Sequence, residues 1–194
     1  MKIVAVSQRI DYFPDRGEIR DSLDQRLLSF IQDCSGLPVP VPNFLDDSLN
    51  IWLQIINPDA IVLSGGNDVG QYPARDLVEI ALLEYAKNKD IPLLGICRGM
   101  QMMAIWAGTN IRAVKGHVRT RHQIKGEINI DVNSFHNYVL SECPTGFDVV
   151  ARSDDDEIEA IRHKILRWEG WMWHPEREHE FTQLDIDRLK GLFK

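Results

Sequence analysis

Cysteine is scarce in this chain: Cys34, Cys97 and Cys143 are the three thiols in 194 residues. So few exclude a disulfide framework and turn attention to what a single thiol could do. Positive charge is short as well. Lys and Arg number 22 against 29 Asp and Glu, a formal net charge of −7. That balance argues against broad binding to nucleic acid or to an anionic membrane. Long apolar runs are missing, so no segment is expected to span a bilayer. The opening Met1-Lys2-Ile3-Val4-Ala5-Val6 reads as a first strand, too short and too polar at its flanks for a signal peptide. No phosphate loop with lysine, no dinucleotide fingerprint, no repeat and no linker composition is present. One cytoplasmic catalytic domain over residues 1–194, without cofactor, is the expectation.

What is present alternates. Lys2 to Val6 reads as a strand, followed by a polar, arginine-bearing loop to about Gly17. Glu18 to Gln32 has helical spacing, with Leu23, Leu27, Leu28 and Ile31 on one face. Leu37 to Val41 is a short strand whose prolines suit an edge. Asp47 to Ile56 reads as a second helix, with Asp46 or Asp47 as its cap. Ala60 to Ser64 is a buried strand, Leu77 to Asn88 an amphipathic helix and Ile91 to Ile96 another strand. The pattern then turns strand-rich, through Ile128–Val132, Asp148–Ala151, Ile158–Arg162 and Trp171–Trp173, and closes with a helix over Leu184–Phe193. Such alternation predicts an α/β fold in three layers, a mostly parallel sheet with helices on both faces.

Gly95-Ile96-Cys97-Arg98-Gly99-Met100-Gln101 stands at the end of one predicted strand. Glycines on either side of a central nucleophile permit a sharp strand-to-helix elbow that exposes the side chain between them. The following helix N-terminus favours the thiolate at Cys97. Cys34, before Ser35-Gly36 at a predicted helix end, and Cys143, beside Pro144, read as inert. Near the C-terminus stands Trp171-Met172-Trp173-His174-Pro175-Glu176. Proline biases His174 towards extended backbone, so it is expected to continue the strand and share a side with Glu176. A thiol nucleophile, an imidazole base and a carboxylate to orient it would then be complete.

The elbow and the His-Pro-Glu together resemble the class I glutamine amidotransferase superfamily, in the branch of the γ-glutamyl hydrolases. Ser64-Gly65-Gly66-Asn67-Asp68, Arg75-Asp76 and Val132-Asn133-Ser134-Phe135-His136 recur in the expected order, so the likeness spans nearly the whole chain. A nearer likeness is to hydrolases of γ-glutamyl-CDP-amidate that serve capsule phosphoramidate biosynthesis. It rests on compact length, Gln8-Arg9, Arg20-Asp21-Ser22-Leu23-Asp24-Gln25 and Gly116-His117-Val118-Arg119-Thr120-Arg121-His122. The resemblance implies a flavodoxin-like fold. It also implies an oxyanion hole from the amides of Gly66 and Arg98, each such donor contributing about 3–4 kcal/mol. Substrate contacts are implied at Gly65, Gln101, Ser134, Phe135 and His136. His136 is also readable as a second general base or a loop cap.

Guanidinium forks match phosphate oxygens, so Arg9, Arg16 and Arg20 near the first helix, with Arg119 and Arg121, are candidates to bind a phosphorylated leaving group, Arg9 and Arg20 foremost. Surface pairing with Asp11, Asp15, Glu18 and Asp21 is the plainer alternative. Arg98 is expected to pair with Asp76 or Glu79, with a substrate phosphate as the other choice. His117 and His122 lack a cysteine pair and an evident third ligand, so no metal site is expected. The expected activity is hydrolysis of a γ-glutamyl amide through a glutamyl thioester, with no nucleic acid or membrane partner. A γ-glutamyl-γ-aminobutyrate-type hydrolase, a glutaminase subunit feeding ammonia to a synthase, and a non-catalytic binding protein are the rivals.

Overall fold

The computed structural model describes residues 1–45 and 48–194. Five strands follow the expected alternation: β1 (Lys2–Ser7), β4 (Gly36–Val41), β5 (Ala60–Leu63), β6 (Leu93–Ile96) and β13 (Trp168–Trp171) pair in parallel in the order β4-β1-β5-β6-β13. An antiparallel extension follows through β12 (Ile158–His163), β11 (Phe147–Ser153), β8 (Val118–Gly126) and β9 (Ile130–Phe135). Among the described residues, these nine strands make one mixed sheet. The short β7 (Ile111–Ala113) pairs separately with β10 (Tyr138–Leu140). Strand β4 is the edge predicted from Pro38 and Pro40.

The parallel strands place the helices. From β1 the chain steps outward through α1 (Gln25–Asp33) to β4, then returns through α2 (Leu49–Ile56) to β5 on the other side of β1. It continues through α3 (Pro73–Lys89) to β6 and into α4 (Arg98–Trp106). Right-handed crossovers in opposite directions cover opposite faces, which gives the flavodoxin-like three-layer arrangement. Helix α5 (Gln183–Leu192) closes the chain, with Phe181 just before it edge-on to Phe30 of α1 at 5.4 Å. The core between sheet and helices is wholly apolar at Val62, Leu63, Leu82, Leu94 and Met103, and takes in Trp168, Trp171 and Trp173.

Two predicted elements change. The segment after β1 is a hairpin, β2 (Arg9–Phe13) against β3 (Glu18–Ser22), joined by a 3-10 turn at Pro14–Arg16. The predicted helix over Glu18–Gln32 therefore starts only at Gln25. Asp24 stops it extending backwards, because its Oδ1 accepts from the Arg26 N–H at 2.9 Å and caps the first turn. The second helix begins at Leu49, and its proposed caps Asp46 and Asp47 lie outside the described residues. Strand β8, with exposed residues at most of its positions, carries too little apolar alternation to be read in advance.

Candidate active site

The candidate catalytic residues sit past the carboxyl ends of parallel strands, beside the point where strand order reverses. After β1 comes Arg9, after β5 Gly65 and Gly66, after β6 Cys97, and after β13 His174. The fold thus gathers segments distant in sequence around one mouth.

Cys97 is the elbow. Its backbone has φ 51° and ψ −104°, a left-handed conformation that a side-chain-bearing residue adopts only under constraint. The constraint is built from both sides. The Cys97 N–H donates to the Trp171 carbonyl at 2.7 Å, and α4 starts immediately afterwards. A Cβ on Gly99 would land on the Leu63 carbonyl, so only glycine lets α4 approach β5 this closely. The Cys97 residue is 6% exposed, open enough for its sulfur to meet a small substrate.

His174 has extended backbone, φ −112° and ψ 91°, as its proline predicts. It does not continue a strand, however. Strand β13 ends at Trp171, and Pro175–Arg177 forms a 3-10 turn that folds Glu176 back onto the ring. The Nδ1–Oε1 distance is 2.6 Å. A carboxylate only accepts, so Nδ1–H donates and Nε2 is left for the thiol. Burial works against charge on His174, but Glu176 and then the Cys97 side chain outweigh it and raise the pKa to about 9. The main chain of His174 is gripped by Asn133, whose Nδ2 donates to the His174 carbonyl at 2.8 Å and whose Oδ1 accepts its N–H at 3.0 Å. Phe135 stands edge-on to the imidazole at 5.8 Å.

A buried charge network holds the elbow and the Gly65-Gly66 loop together. Arg75 donates to the carbonyls of Ser64 at 2.8 Å and Gly65 at 3.0 Å, and also to that of Gly66. In a trans peptide the N–H points opposite the carbonyl, so anchoring the Gly65 carbonyl turns the Gly66 N–H away from Arg75. Gly65 itself must lack a side chain, since a Cβ would lie 2.7 Å from His174 Cε1. Glu79 joins Arg75 to the elbow: its Oε1 accepts from Arg75 Nε at 3.0 Å and from Ser7 Oγ at 2.8 Å, and its Oε2 from Arg98. Arg98 also pairs with Asp76. The two acids named as alternatives for Arg98 are therefore both its partners.

Two adjoining clefts of about 290 and 270 Å³ meet at Arg9, Gly66, His174 and Arg177. The second is lined by Cys97, Arg98, Gln101, Phe135 and His136, and the first by Gly65 and Glu176. Gln101 Nε2 is tied to the Tyr138 carbonyl at 3.0 Å. Ser134 is buried, with its hydroxyl donated to the His117 carbonyl at 2.7 Å. Arg9 lines both clefts, held by Asp11 at 2.8 Å. Arg20 lines neither: it pairs with Glu18 on the hairpin and stacks over Phe13 at 4.8 Å. Arg177, not singled out by the sequence, stands beside the site over Phe135 at 4.6 Å. Arg26 is a second such residue, and its Nε donates to the Glu176 carbonyl at 2.8 Å. The Arg75 and Glu79 pair had a readable sign in its i,i+4 helix spacing. The hold of Asn133 on His174 had none. Of the other thiols, burial raises Cys34 to about 12, and it also raises Cys143.

A thiol on a strand-to-helix elbow, with a histidine–carboxylate pair beyond a neighbouring parallel strand, is the arrangement of a cysteine-nucleophile α/β protein. The sequence model of the family "Glutamine amidotransferase class-I" matches residues 19–187. The chain belongs to that family, and its activity is a hydrolase activity of that class. It is 32% identical over 153 residues to the γ-glutamyl-CDP-amidate hydrolase of Campylobacter jejuni subsp. jejuni serotype O:2, covering 76% of each chain. It is 33% identical over 132 residues to a subunit of the glutamine-hydrolysing GMP synthase of Methanosarcina barkeri, covering 63% of this chain and 66% of that one. A glutamine amidotransferase of Thermotoga maritima superposes with a TM-score of 0.69 at 17% identity, over 98% of this chain and 94% of the other, a likeness of fold. Among the described residues no helix is long and apolar enough to cross a membrane.

Proposed function

We propose that the chain hydrolyses a γ-glutamyl amide, with γ-glutamyl-CDP-amidate as substrate and glutamate and CDP-amidate as products. The observation that carries this reading is that His174, paired with Glu176 at 2.6 Å, lines one cleft together with Cys97, Arg9 and Arg177. Cys97 gives its thiol proton to His174 Nε2, and its Sγ attacks the side-chain carbonyl carbon of the glutamyl group. The oxyanion that forms is received by the Gly66 and Arg98 amides, of which Arg98 N–H opens α4 and has no acceptor within the helix. His174 gives its proton to the departing nitrogen, a glutamyl thioester remains, and water releases glutamate after His174 takes one of its protons. Gln101 can both donate and accept, which suits the zwitterionic end of the glutamyl group. Arg9 and Arg177 are the guanidinium groups available to a diphosphate leaving group. The similarity to a γ-glutamyl-CDP-amidate hydrolase supports this substrate, and with it a place in capsule or surface-polysaccharide biosynthesis.

The test is glutamate release by the purified chain alone from γ-glutamyl-CDP-amidate, γ-glutamyl-γ-aminobutyrate and glutamine, with Cys97→Ala as the blank. Release dependent on Cys97 and fastest from the nucleotide is expected. Release from glutamine alone, rising when a synthase is added, would favour an ammonia-supplying role, as the similarity to a GMP synthase component suggests. Failure of a γ-glutamyl diazo-ketone to label Cys97 would point to a binding protein.

A further inference from the structure

Behind the cleft wall, three histidines converge on one buried carboxylate. His117 precedes β8, His122 lies within it, His136 follows β9 and Glu159 is on β12. The hairpin of β8 and β9 brings the first and third together, with the His136 N–H donating to the His117 carbonyl at 3.0 Å. His117 Nδ1, His122 Nε2 and His136 Nε2 lie 3.5, 3.4 and 3.3 Å from the same oxygen, Glu159 Oε1. The side chains of His136 and Glu159 are 0% exposed and that of His117 is 4% exposed. No third ligand was expected from the sequence, and the structure supplies His136 and Glu159.

The chemistry of the outward nitrogens decides what the inward ones carry. His117 Nε2 lies 2.9 Å from Asp155 Oδ2, and His136 Nδ1 lies 3.2 Å from the Tyr138 carbonyl. Both partners are acceptors, so each outward nitrogen holds the proton of a neutral ring. The inward nitrogens of His117 and His136 then present lone pairs to a carboxylate, acceptor against acceptor. Consistent with that, the three inward nitrogens and both Glu159 oxygens make no hydrogen bond among the described residues. A second proton on a ring would also answer the carboxylate. Even so, a proton on an inward nitrogen would not point well enough at Glu159 to bond it. Left so, these groups would be costly. A divalent cation between them turns the repulsion into coordination. For zinc, bonds of about 2.0–2.1 Å in a tetrahedron put neighbouring ligand atoms about 3.3–3.4 Å apart, close to the three nitrogen-to-Glu159 separations found here. Outward N–H groups donated to a carboxylate and a carbonyl are the usual support of metal-bound histidines.

We propose that His117, His136 and Glu159, with His122 as the fourth ligand, form a zinc-type divalent metal site. Its place is structural: it ties β12 to the hairpin of β8 and β9. It also fixes His136, whose Tyr138 carbonyl partner holds Gln101 as well. The site shares His136 with the wall of the cleft, but it takes no part in the thioester chemistry and does not depend on the substrate proposed above.

The test strips the full-length Cys97→Ser chain with a chelator and titrates zinc back against a chromogenic competitor, the substitution removing the Cys97 thiol as a ligand. One equivalent per chain and a higher Tm on binding are expected. Glu159→Gln and His117→Gln should each weaken binding at least tenfold. Cobalt(II) added to the stripped chain should give the intense visible bands of a four-coordinate nitrogen–oxygen site, a readout that holds even where a variant fails to fold. Zinc bound no more tightly by the Cys97→Ser chain than by its Glu159→Gln form, or cobalt bands of a six-coordinate aquo ion, would overturn the proposal.

Discussion

Two glutamates, Glu79 and Glu159, are each wholly buried in this protein, and their surroundings are opposites. Glu79 is met by donors on both oxygens, from Ser7, Arg75 and Arg98. Glu159 is met by the inward nitrogens of three histidines at 3.3–3.5 Å, with no hydrogen bond to either oxygen among the described residues. A carboxylate removed from water needs compensation. Guanidinium groups supply it from within the chain at Glu79, whereas at Glu159 the three inward nitrogens make no hydrogen bond to either oxygen among the described residues. The first cluster is a finished piece of structure, and the second asks for a cation from outside. Both are fixed to the candidate active site, one through the elbow and the Gly65-Gly66 loop, the other through His136 and the Tyr138 carbonyl.

Removing the carboxylates one at a time is the sharpest way to break this comparison. Glu79→Ala leaves Arg75 and Arg98 buried without their common partner, a loss of about 3–5 kcal/mol. Urea unfolding should show it as a lower midpoint at unchanged m-value, and turnover should fall as the Gly65 and Gly66 carbonyls lose their anchor. Next in size is Gly65→Ala, whose methyl would press on His174 Cε1. Displacing the imidazole by a fraction of an ångström should lower kcat about 100-fold. Unfolding that is nearly unchanged would separate this loss from a general collapse. Glu159→Gln in the metal-free chain should cost clearly less than Glu79→Ala, because no hydrogen bond to Glu159 is lost and an amide can donate to an inward nitrogen. A destabilisation like that of Glu79→Ala would mean that the two carboxylates are compensated alike.

How much of this is legible in the sequence follows from whether the signal is local. The elbow can be read because two glycines and a cysteine within five residues state a backbone geometry that few other arrangements require. The extended backbone of His174 is likewise dictated by Pro175. Strands β1 and β5 announce themselves by apolar runs rich in Ile and Val, but the hairpin of β2 and β3 does not. Its polar, half-exposed strands have the composition of a loop, and the helical spacing downstream runs back into β3 by coincidence of its apolar positions. The Asn133 clamp on His174 joins residues 41 positions apart and leaves no pattern in either segment. The histidine cluster is a stronger case. His117 and His122 stand out in the sequence, but their companions come from β12 and from the end of β9, so only register and topology unite them. Pairing within a helix, as in Arg75 and Glu79, is open to view, although each residue alone is ordinary.

The smallest expected effect concerns how the finished region tunes the proposed base. His174 is raised from 6.5 to about 9 against the opposing effect of its burial, with Glu176 the largest raising influence and Cys97 next. A group whose pKa is higher in the folded chain than in the unfolded one stabilises the fold fully below the unfolded value. That contribution is therefore complete below about pH 6.5 and disappears as pH climbs through about 9. Catalysis should follow the same upper limb, because His174 must carry a proton to give to the leaving nitrogen. A profile of kcat/KM against pH is expected to fall above about 9 in the wild type. In Glu176→Gln the limb should move to lower pH, since the carboxylate charge is gone while the ring stays buried. An unmoved limb would mean that the group titrating there is not His174, and that Glu176 orients the ring without setting its charge.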